Sequence, residues 1–285
     1  MTLVWGALAL GAIYAIVAVG YNIVYISSKT FNFAQAQLMM VGAFVAYSGL
    51  VSWHLPWLVV LLIAGVIVAA IAAIEERLAV RPVRDSHNIL VTTLGAAIFL
   101  DGAAQLIWGT QPLTVPFVGG NRATTFVGGR VYPVELALIV VAVLLVVGIV
   151  VFARWTKYGR ALLAIAEDRE AAELRGINVR ALAFAAFAAS GLLAGMVGLF
   201  VGPVTFAVST LGASLALKGF VALAIGGFGS FPGALVGGMV VGLVEIWSAR
   251  LFGGDYVHLG IFVLLLLVLM LRPAGLFVRA RERQV

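Results

Sequence analysis

Three charged side chains stand inside long apolar runs of this 285-residue chain, and their chemistry is the first thing to explain. Asp101, Lys218 and Glu245 each fall within a stretch long enough to cross a membrane. A charge inside hydrocarbon is costly unless it faces another charge or a water-filled cavity. Two interpretations stay open: a structural ion pair of Lys218 with Asp101 or Glu245, or a polar lining for a pathway across the membrane.

Recognisable catalytic and metal-binding motifs are missing. The histidines, His54, His87 and His258, are far apart and lack the spacing of metal ligands. The lysines follow serine, threonine or leucine, so none forms the Gly-Lys pair of a phosphate-binding P-loop. The absence of cysteine excludes thiol chemistry and disulfide bonds. The sequence predicts no catalytic site, no metal site and no cofactor, so any ATP hydrolysis belongs to a separate subunit.

The composition is that of a membrane protein. Hydrophobic residues make up 63% of the chain and charged residues 11%, whereas a soluble domain carries about 25% charged residues. We predict one domain, 1–285, with an all-α fold: a polytopic transmembrane bundle of about eight to nine spans with interrupted helices. The predicted spans are 3–26, 33–52, 57–78, 88–108, 133–153, 181–201, 212–226, 233–250 and 257–272.

The positive charges predict the orientation of these spans. Most of the 18 basic residues flank the same ends of the spans, and they include the C-terminal group at 279–283. The opposite loops hold only Arg122, Arg130 and Arg250. Because basic loops stay in the cytoplasm, we expect a cytoplasmic C-terminus and an external N-terminus. The net charge of +6 is spread along these loops and predicts no nucleic-acid partner.

Two breaks, at residues 27–37 and 226–233, interrupt the apolar pattern. Each precedes a run of small residues, 41–43 or 237–239, that allows close helix packing. Irregular backbone at membrane depth needs protein or a water-filled cavity beside it, and paired interruptions in two halves point to a transport pathway. A structural helix junction is the alternative. The predicted pathway residues are Asn32, Phe33, Gln35, Gln37 and Lys218.

The densest charge in the chain lies at residues 154–180. Thr156 is expected to cap a short helix that ends at Ala166, and Asp168 to cap a second that ends at Arg175. Gly176 supplies the left-handed residue that commonly ends a helix. The sequence thus predicts a rigid charged loop that another protein could grip, or alternatively a solvated connection between spans.

Residues 124–132 alternate about a Gly-Gly pair, which predicts a small β-hairpin in an outer loop. A substrate-delivering protein could contact it there, or it could be an ordinary connection.

The stretch at 164–179, AIAEDREAAELRGINV, closely resembles the cytoplasmic coupling segment of branched-chain amino acid ABC-transporter permeases of the LivH type. Further pieces with the same order and spacing are NFAQ at 32–35, YGRAL at 158–162, LKGF at 217–220, GGFGSFPGA at 226–234 and LRPAGLF at 271–277. The resemblance therefore extends along nearly the whole chain.

This resemblance implies a permease in the bacterial inner membrane, surrounded by lipid. Its implied partners are a sister permease, two ATP-binding subunits and an extracytoplasmic substrate-binding protein. The implied cargo is a branched-chain amino acid or a related small solute such as urea, a short amide or an aromatic compound. The coupling segment implies that the ATPase-coupling residues are Glu167, Asp168, Glu170, Ala171, Ala172 and Gly176.

Two positions depart from the family pattern. Arg169 stands where the family usually has proline, which leaves helix initiation to Asp168. Ala36 stands where the family usually has glycine, beside the predicted pathway, so the choice of substrate stays open. The competing function is an ion-coupled secondary transporter or channel that uses the intramembrane charges directly.

Overall fold

The computed structural model describes residues 1–83, 85–120, 122–126, 128–272 and 275–277. Helices dominate, as predicted, and the basic group at 279–283 lies outside the described residues. The long and short α-helices are α1 Thr2–Ser28, α2 Gln35–Tyr47, α3 Trp57–Glu75, α4 Ser86–Trp108, α5 Pro133–Trp155, α6 Lys157–Glu167, α7 Arg169–Leu174, α8 Val179–Thr205, α9 Leu211–Gly226, α10 Phe231–Phe252 and α11 Val257–Leu271.

The helix lengths agree roughly with the predicted eight to nine spans. Within the described residues, seven helices are long and apolar enough to cross a membrane: α1, α3, α4, α5, α8, α10 and α11 with its preceding 3₁₀ turn. α9 is apolar but shorter, with 16 residues. α2 has 13 residues and continues into a π-helical turn, Ser48–Ser52. Another π-helical turn, Glu76–Val80, extends α3.

α1 lies at the centre of the bundle and packs against α2, α5, α6, α8, α9 and α10. Glycines let its neighbours come close, as the small-residue runs predicted. A Cβ atom on Gly11 of α1 would lie 2.8 Å from Met239 Cα of α10, and one on Gly42 of α2 would lie 2.8 Å from Gly195 Cα of α8. A side chain at either glycine would push the two helices apart.

α2 begins inside the membrane layer. Its first residue, Gln35, accepts a hydrogen bond from the hydroxyl of Ser190, which is eleven residues from the start of α8. At 1.5 Å per residue, this contact lies about 17 Å above the α6–α7 end of α8. Nearly all of α2 is buried. The segment between α1 and α2 therefore re-enters the bundle, which explains why 33–52 does not form a full-length α-helix.

The two predicted breaks meet in space. Buried Asn22 of α1 accepts a hydrogen bond from the Gly229 amide (2.7 Å) and donates to the Ser230 carbonyl (3.0 Å). Phe31 of the first break packs edge-on against Phe228 of the second, with ring centroids 5.3 Å apart. The Gly229 amide and the Ser230 carbonyl of the second break are therefore satisfied by a side chain of α1, the helix that leads into the first break.

The charged segment folds as predicted. The Gly159 amide donates to the Thr156 hydroxyl at the start of α6, and the Ala171 amide donates to the Asp168 carboxylate at the start of α7. Gly176 has φ +82°, the left-handed conformation expected after α7. Short polar caps and one glycine thus define this loop locally.

The predicted hairpin is also present. Strands β1 Thr124–Phe126 and β2 Gly129–Val131 pair antiparallel, with Thr124 opposite Val131. Val127, in the connecting turn, lies outside the described residues. The Arg130 amide donates to the Thr2 hydroxyl, which fixes the hairpin to the start of α1.

Candidate functional site

The α6–α7 loop, residues 156–178, presents charged groups on a rigid frame. Glu167, Asp168 and Glu170 are exposed, and Glu170 lies in the first turn of α7, where a carboxylate interacts favourably with the helix dipole. Arg169 and Glu173 form an exposed i,i+4 ion pair at 3.4 Å. Such a pair contributes little to stability, so the exposed charges are available to a partner.

Ala172, one of the coupling residues that the resemblance implies, faces inward. It is 2% exposed and packs with Ile165 and Val179 in a small apolar cluster beneath the loop. Ala171 is only partly covered and Gly176 is exposed. Ala172 therefore holds α7 against α6 and α8, because it lies on the apolar face of this short amphipathic helix, and that face packs on the protein.

A direct contact joins this loop to the first break. Lys29, which ends α1 in a left-handed conformation, donates from its ammonium to the carbonyl of Ala166 near the end of α6. The carbonyls in the last turn of a helix have no intrahelical partner, so a cation is favourable there. One hydrogen bond therefore links the end of α6 to the α1–α2 connection.

Asn32 is fully buried and holds the first break in shape. Its side-chain oxygen accepts from the Ala34 amide (2.8 Å), and its amide nitrogen donates to Glu75 Oε2 (3.2 Å) at the end of α3. The other oxygen of Glu75 is buried without a hydrogen-bond partner. Phe33, in the same turn, is half-buried.

Gln35 lies in a closed helix junction. It is 2% exposed and accepts from Ser190 at 2.6 Å. The cavity beside it measures about 10 Å³. A water molecule needs about 10–15 Å³, so no larger solute fits there in this conformation.

Gln37 has a different environment. It is 4% exposed, packs against Gly212 of α9, and its side chain is the hydrogen-bonding neighbour of the Asp101 carboxyl on α4. Gln37 Oε1 and Asp101 Oδ1 are nevertheless buried without a hydrogen-bond partner. This pair leaves two acceptors free at one place.

Lys218 forms an ion pair with Glu245 and not with Asp101, the other candidate partner. The Lys218 ammonium lies 2.6 Å from Glu245 Oε1, and the Tyr14 hydroxyl donates to Glu245 Oε2 at 2.5 Å. Lys218 also donates to the Tyr14 oxygen at 3.2 Å. Three helices, α1, α9 and α10, are therefore joined by one enclosed polar group.

A larger cavity, of about 530 Å³, lies between α5, α6 and α8 near the α6–α7 loop. Its surface is almost wholly apolar, with side chains such as Ile149, Leu182 and Leu192. It offers no array of hydrogen-bonding groups, so it is unsuited to a polar solute.

The sequence interpretation missed several residues. Glu75 lies in a predicted span, and a carboxylate directly after an apolar run is a visible signal of an intramembrane charge. Tyr14 and Ser190 carry no local signal, because only tertiary packing brings them to Glu245 and Gln35. Leu174 is 90% exposed on α7 and is the one large apolar side chain of that helix.

Comparison with known proteins identifies the family. The sequence model described as "Branched-chain amino acid transport system / permease component" matches residues 3–271. The chain is 31% identical to the high-affinity branched-chain amino acid transport system permease protein LivH of Salmonella typhimurium, over 99% of this chain and 96% of that protein. It is 30% identical to the corresponding permease protein BraD of Pseudomonas aeruginosa, over 98% and 95%.

A solved structure has the same fold. The chain matches PsaBC from Streptococcus pneumoniae in complex with Fab with a TM-score of 0.52 and 11% identity, over 96% of this chain and 93% of that chain. At this identity the likeness concerns the fold alone. The helical architecture, the intramembrane polar groups and the near full-length sequence matches agree: the chain is a multi-pass membrane protein that belongs to the family of branched-chain amino acid transport system permease components.

Proposed function

We propose that this chain is the membrane-spanning subunit of an ATP-driven importer for branched-chain amino acids. The names of the relatives supply the substrate class. In this proposal a second permease chain completes the membrane unit, two ATP-binding subunits hydrolyse ATP, and an extracytoplasmic binding protein delivers the amino acid. Urea, short amides and aromatic compounds are the alternative cargoes to be tested.

The observation that carries the proposal is the construction of the α6–α7 loop. Its caps and its apolar cluster make it rigid, its outer surface is charged, and Lys29 ties it to the first break. A rigid loop can transmit a displacement that a flexible connection would absorb. Closure of the ATP-binding subunits would thus move α7 and α6 together, and through Lys29 the α1–α2 connection.

Within this loop we assign the contacts with the ATP-binding subunits to Glu167, Asp168, Glu170 and Ala171. Gly176 sets the exit of the chain from α7, and Ala172 supports the helix from beneath. The 90% exposed side chain of Leu174 adds an apolar contact that suits a groove on a partner. These assignments require the loop to lie in the cytoplasm of a bacterial inner-membrane protein, which the positive-inside bias supports.

An ion-coupled transporter or channel is the weaker alternative. Such a mechanism needs an ionisable group that can exchange ions or protons with an aqueous route. Lys218 and Glu245 are mutually paired and bonded to Tyr14, so of the three intramembrane charges only Asp101 remains for such a role, and the match to transport system permease components favours the ATP-driven mechanism. We therefore assign Lys218 a structural role and retain Gln37 as the leading pathway residue.

Charge reversal at Glu170 tests the coupling role. We expect Glu170→Lys to weaken association with the ATP-binding subunits by about 2 kcal/mol or more, about thirtyfold, because a carboxylate lost from a buried charged contact leaves its partner unpaired. Gly176→Val should have a similar effect, since a β-branched residue disfavours φ +82°. The measurements are co-purification of the ATP-binding subunits and ATP-dependent uptake in proteoliposomes.

Asp255→Lys is the matched control, because Asp255 is an exposed carboxylate in the 3₁₀ turn before α11, across the membrane from the loop. It should retain the ATP-binding subunits. Normal retention and normal uptake in both Glu170→Lys and Gly176→Val would exclude the loop as the coupling element.

A further inference from the structure

In the part of the chain that the structure describes, the buried side-chain oxygens without a hydrogen-bond partner belong to neighbouring helices that pack against one another. They are Gln37 Oε1, Glu75 Oε1, Glu76 Oε2 and Asp101 Oδ1. These residues belong to α2, to the end of α3 with its π-helical turn, and to α4. All four atoms are hydrogen-bond acceptors, so a group that donates hydrogen bonds would satisfy them.

Gln37 and Asp101 bring two of these acceptors together at membrane depth. Gln37 lies in the first turn of α2, the helix that begins inside the membrane layer, and is nine-tenths or more buried. Its side chain is enclosed by Gly212 of α9 and faces the Asp101 carboxyl of α4. A discontinuous helix that starts at this depth is a common element of substrate sites in transporters.

The lateral face of this site, on α4, is not covered by other helices of the same chain. α4 packs mainly on α2 and on the π-helical turn Glu76–Val80, and most of its remaining surface is exposed. Asp101 is half-buried, and Gln105, one helical turn further along the same edge, is exposed. A carboxylate and an amide cannot face lipid at low cost. A water-filled route between this face and a second permease chain would satisfy both.

We propose that Gln37 and Asp101 bind the protonated amino group of the transported solute, on a route that runs along the α2–α4 face. The assignment rests on the proposed import function and narrows the cargo to solutes with a primary ammonium group. An ammonium group offers three donors and a positive charge, which match two unpaired oxygens, one of an amide and one of a carboxylate. Urea and short amides lack that charge and fit the site less well.

The absence of native cysteine allows a direct test with one reporter thiol. Gln105→Cys is placed in the chain, which is then assembled with its permease partner, ATP-binding subunits and binding protein in proteoliposomes. Its modification by a water-soluble cationic methanethiosulfonate is followed on this chain by mass spectrometry. At a leucine concentration about ten times the Kd, occupancy should slow the modification about tenfold.

Four comparisons decide the result. The 2-hydroxy analogue of leucine, which carries a hydroxyl in place of the amino group, should give little protection. Gln105→Cys combined with Asp101→Asn should lose the protection by leucine, whereas combination with Asp101→Glu should keep part of it. Leu106→Cys is the control reporter: Leu106 is 90% exposed and turned about 140° around α4 from Asp101, so leucine should not change its modification rate.

The outcomes separate this assignment from the import function itself. Equal protection by leucine and by its hydroxy analogue, or full protection in the Asp101→Asn background, overturns the ammonium site even where ATP-dependent leucine uptake is normal. Absence of ATP-dependent uptake in the unmodified complex would instead contradict the import function. Where Asp101→Asn does not assemble, the analogue comparison in the chain with Asp101 intact still decides the question.

Discussion

Two polar groups lie within the membrane layer of this protein, and they are built in opposite ways. Lys218, Glu245 and Tyr14 satisfy one another, with contacts of 2.5–3.2 Å across three helices. Gln37 and Asp101 also adjoin, yet each keeps a buried oxygen unpaired. Paired charges inside a bundle hold helices in register, whereas unpaired acceptors at the edge of a bundle call for a ligand or a partner chain.

The two groups also differ in what surrounds them. Lys218 is 8% exposed and lies between α1, the central helix, and α10. Asp101 stands on α4, a peripheral helix with a largely exposed face. Charge inside a membrane protein is therefore insufficient to identify a transport site. The decisive features are whether its hydrogen bonds are complete and whether its helix is enclosed.

The largest expected effect separates the two groups by stability. Lys218→Met removes one partner of a buried pair and leaves Glu245 uncompensated, which costs about 3–5 kcal/mol. We expect a large fall in the thermal stability of the purified protein. Lys218→Met combined with Glu245→Met should recover most of the loss, because two well-packed apolar residues need no counter-charge.

Lys157→Met is the matched control, since Lys157 is exposed at the start of α6, and it should leave stability unchanged. A single Lys218→Met variant as stable as the original protein would show that the ion pair is not a structural element. The contrast with Asp101 would then fail.

A smaller effect is expected at Gln35, whose hydrogen bonding is satisfied inside the bundle, as it is in the group of Lys218, Glu245 and Tyr14. Gln35→Leu removes the 2.6 Å acceptor of the Ser190 hydroxyl and leaves it only the long contact to the Gly20 carbonyl at 3.4 Å, so we expect a loss near the lower end of the about 1–3 kcal/mol that an unsatisfied buried partner costs. Stability should fall while the choice of transported amino acid stays the same. The measurements are thermal unfolding and competition uptake with several amino acids.

Ser190→Ala in the Gln35→Leu background provides the control, because removal of both polar partners is less costly than removal of one. A changed substrate preference in Gln35→Leu with undiminished stability would show that Gln35 lines the transport route and is not a structural residue.

Local sequence signals were sufficient to predict the α6–α7 loop, the hairpin and the two breaks. Thr156, Asp168 and Gly176 were sufficient to predict the α6–α7 loop, since caps and left-handed stops depend on near neighbours. The hairpin at 124–131 followed from the same kind of signal. Both breaks were visible as polar interruptions of apolar runs.

Long-range geometry could not be predicted. Asp101 and Glu245 were equal candidates for Lys218, because sequence spacing does not reveal which helices adjoin. The start of α2 inside the membrane layer depends on the contact of Gln35 with Ser190, 155 residues away. The inward face of Ala172 depends on packing against Ile165 and Val179. In each instance the missing information is tertiary.

The energy source for uptake tests the central claim most directly. The chain would be assembled with its permease partner, ATP-binding subunits and binding protein in proteoliposomes, and radiolabelled leucine uptake would be followed with and without ATP. The account predicts uptake that requires hydrolysable ATP and persists after ionophores have collapsed all ion gradients. Leucine uptake that proceeds without ATP and disappears with an ion gradient would contradict it.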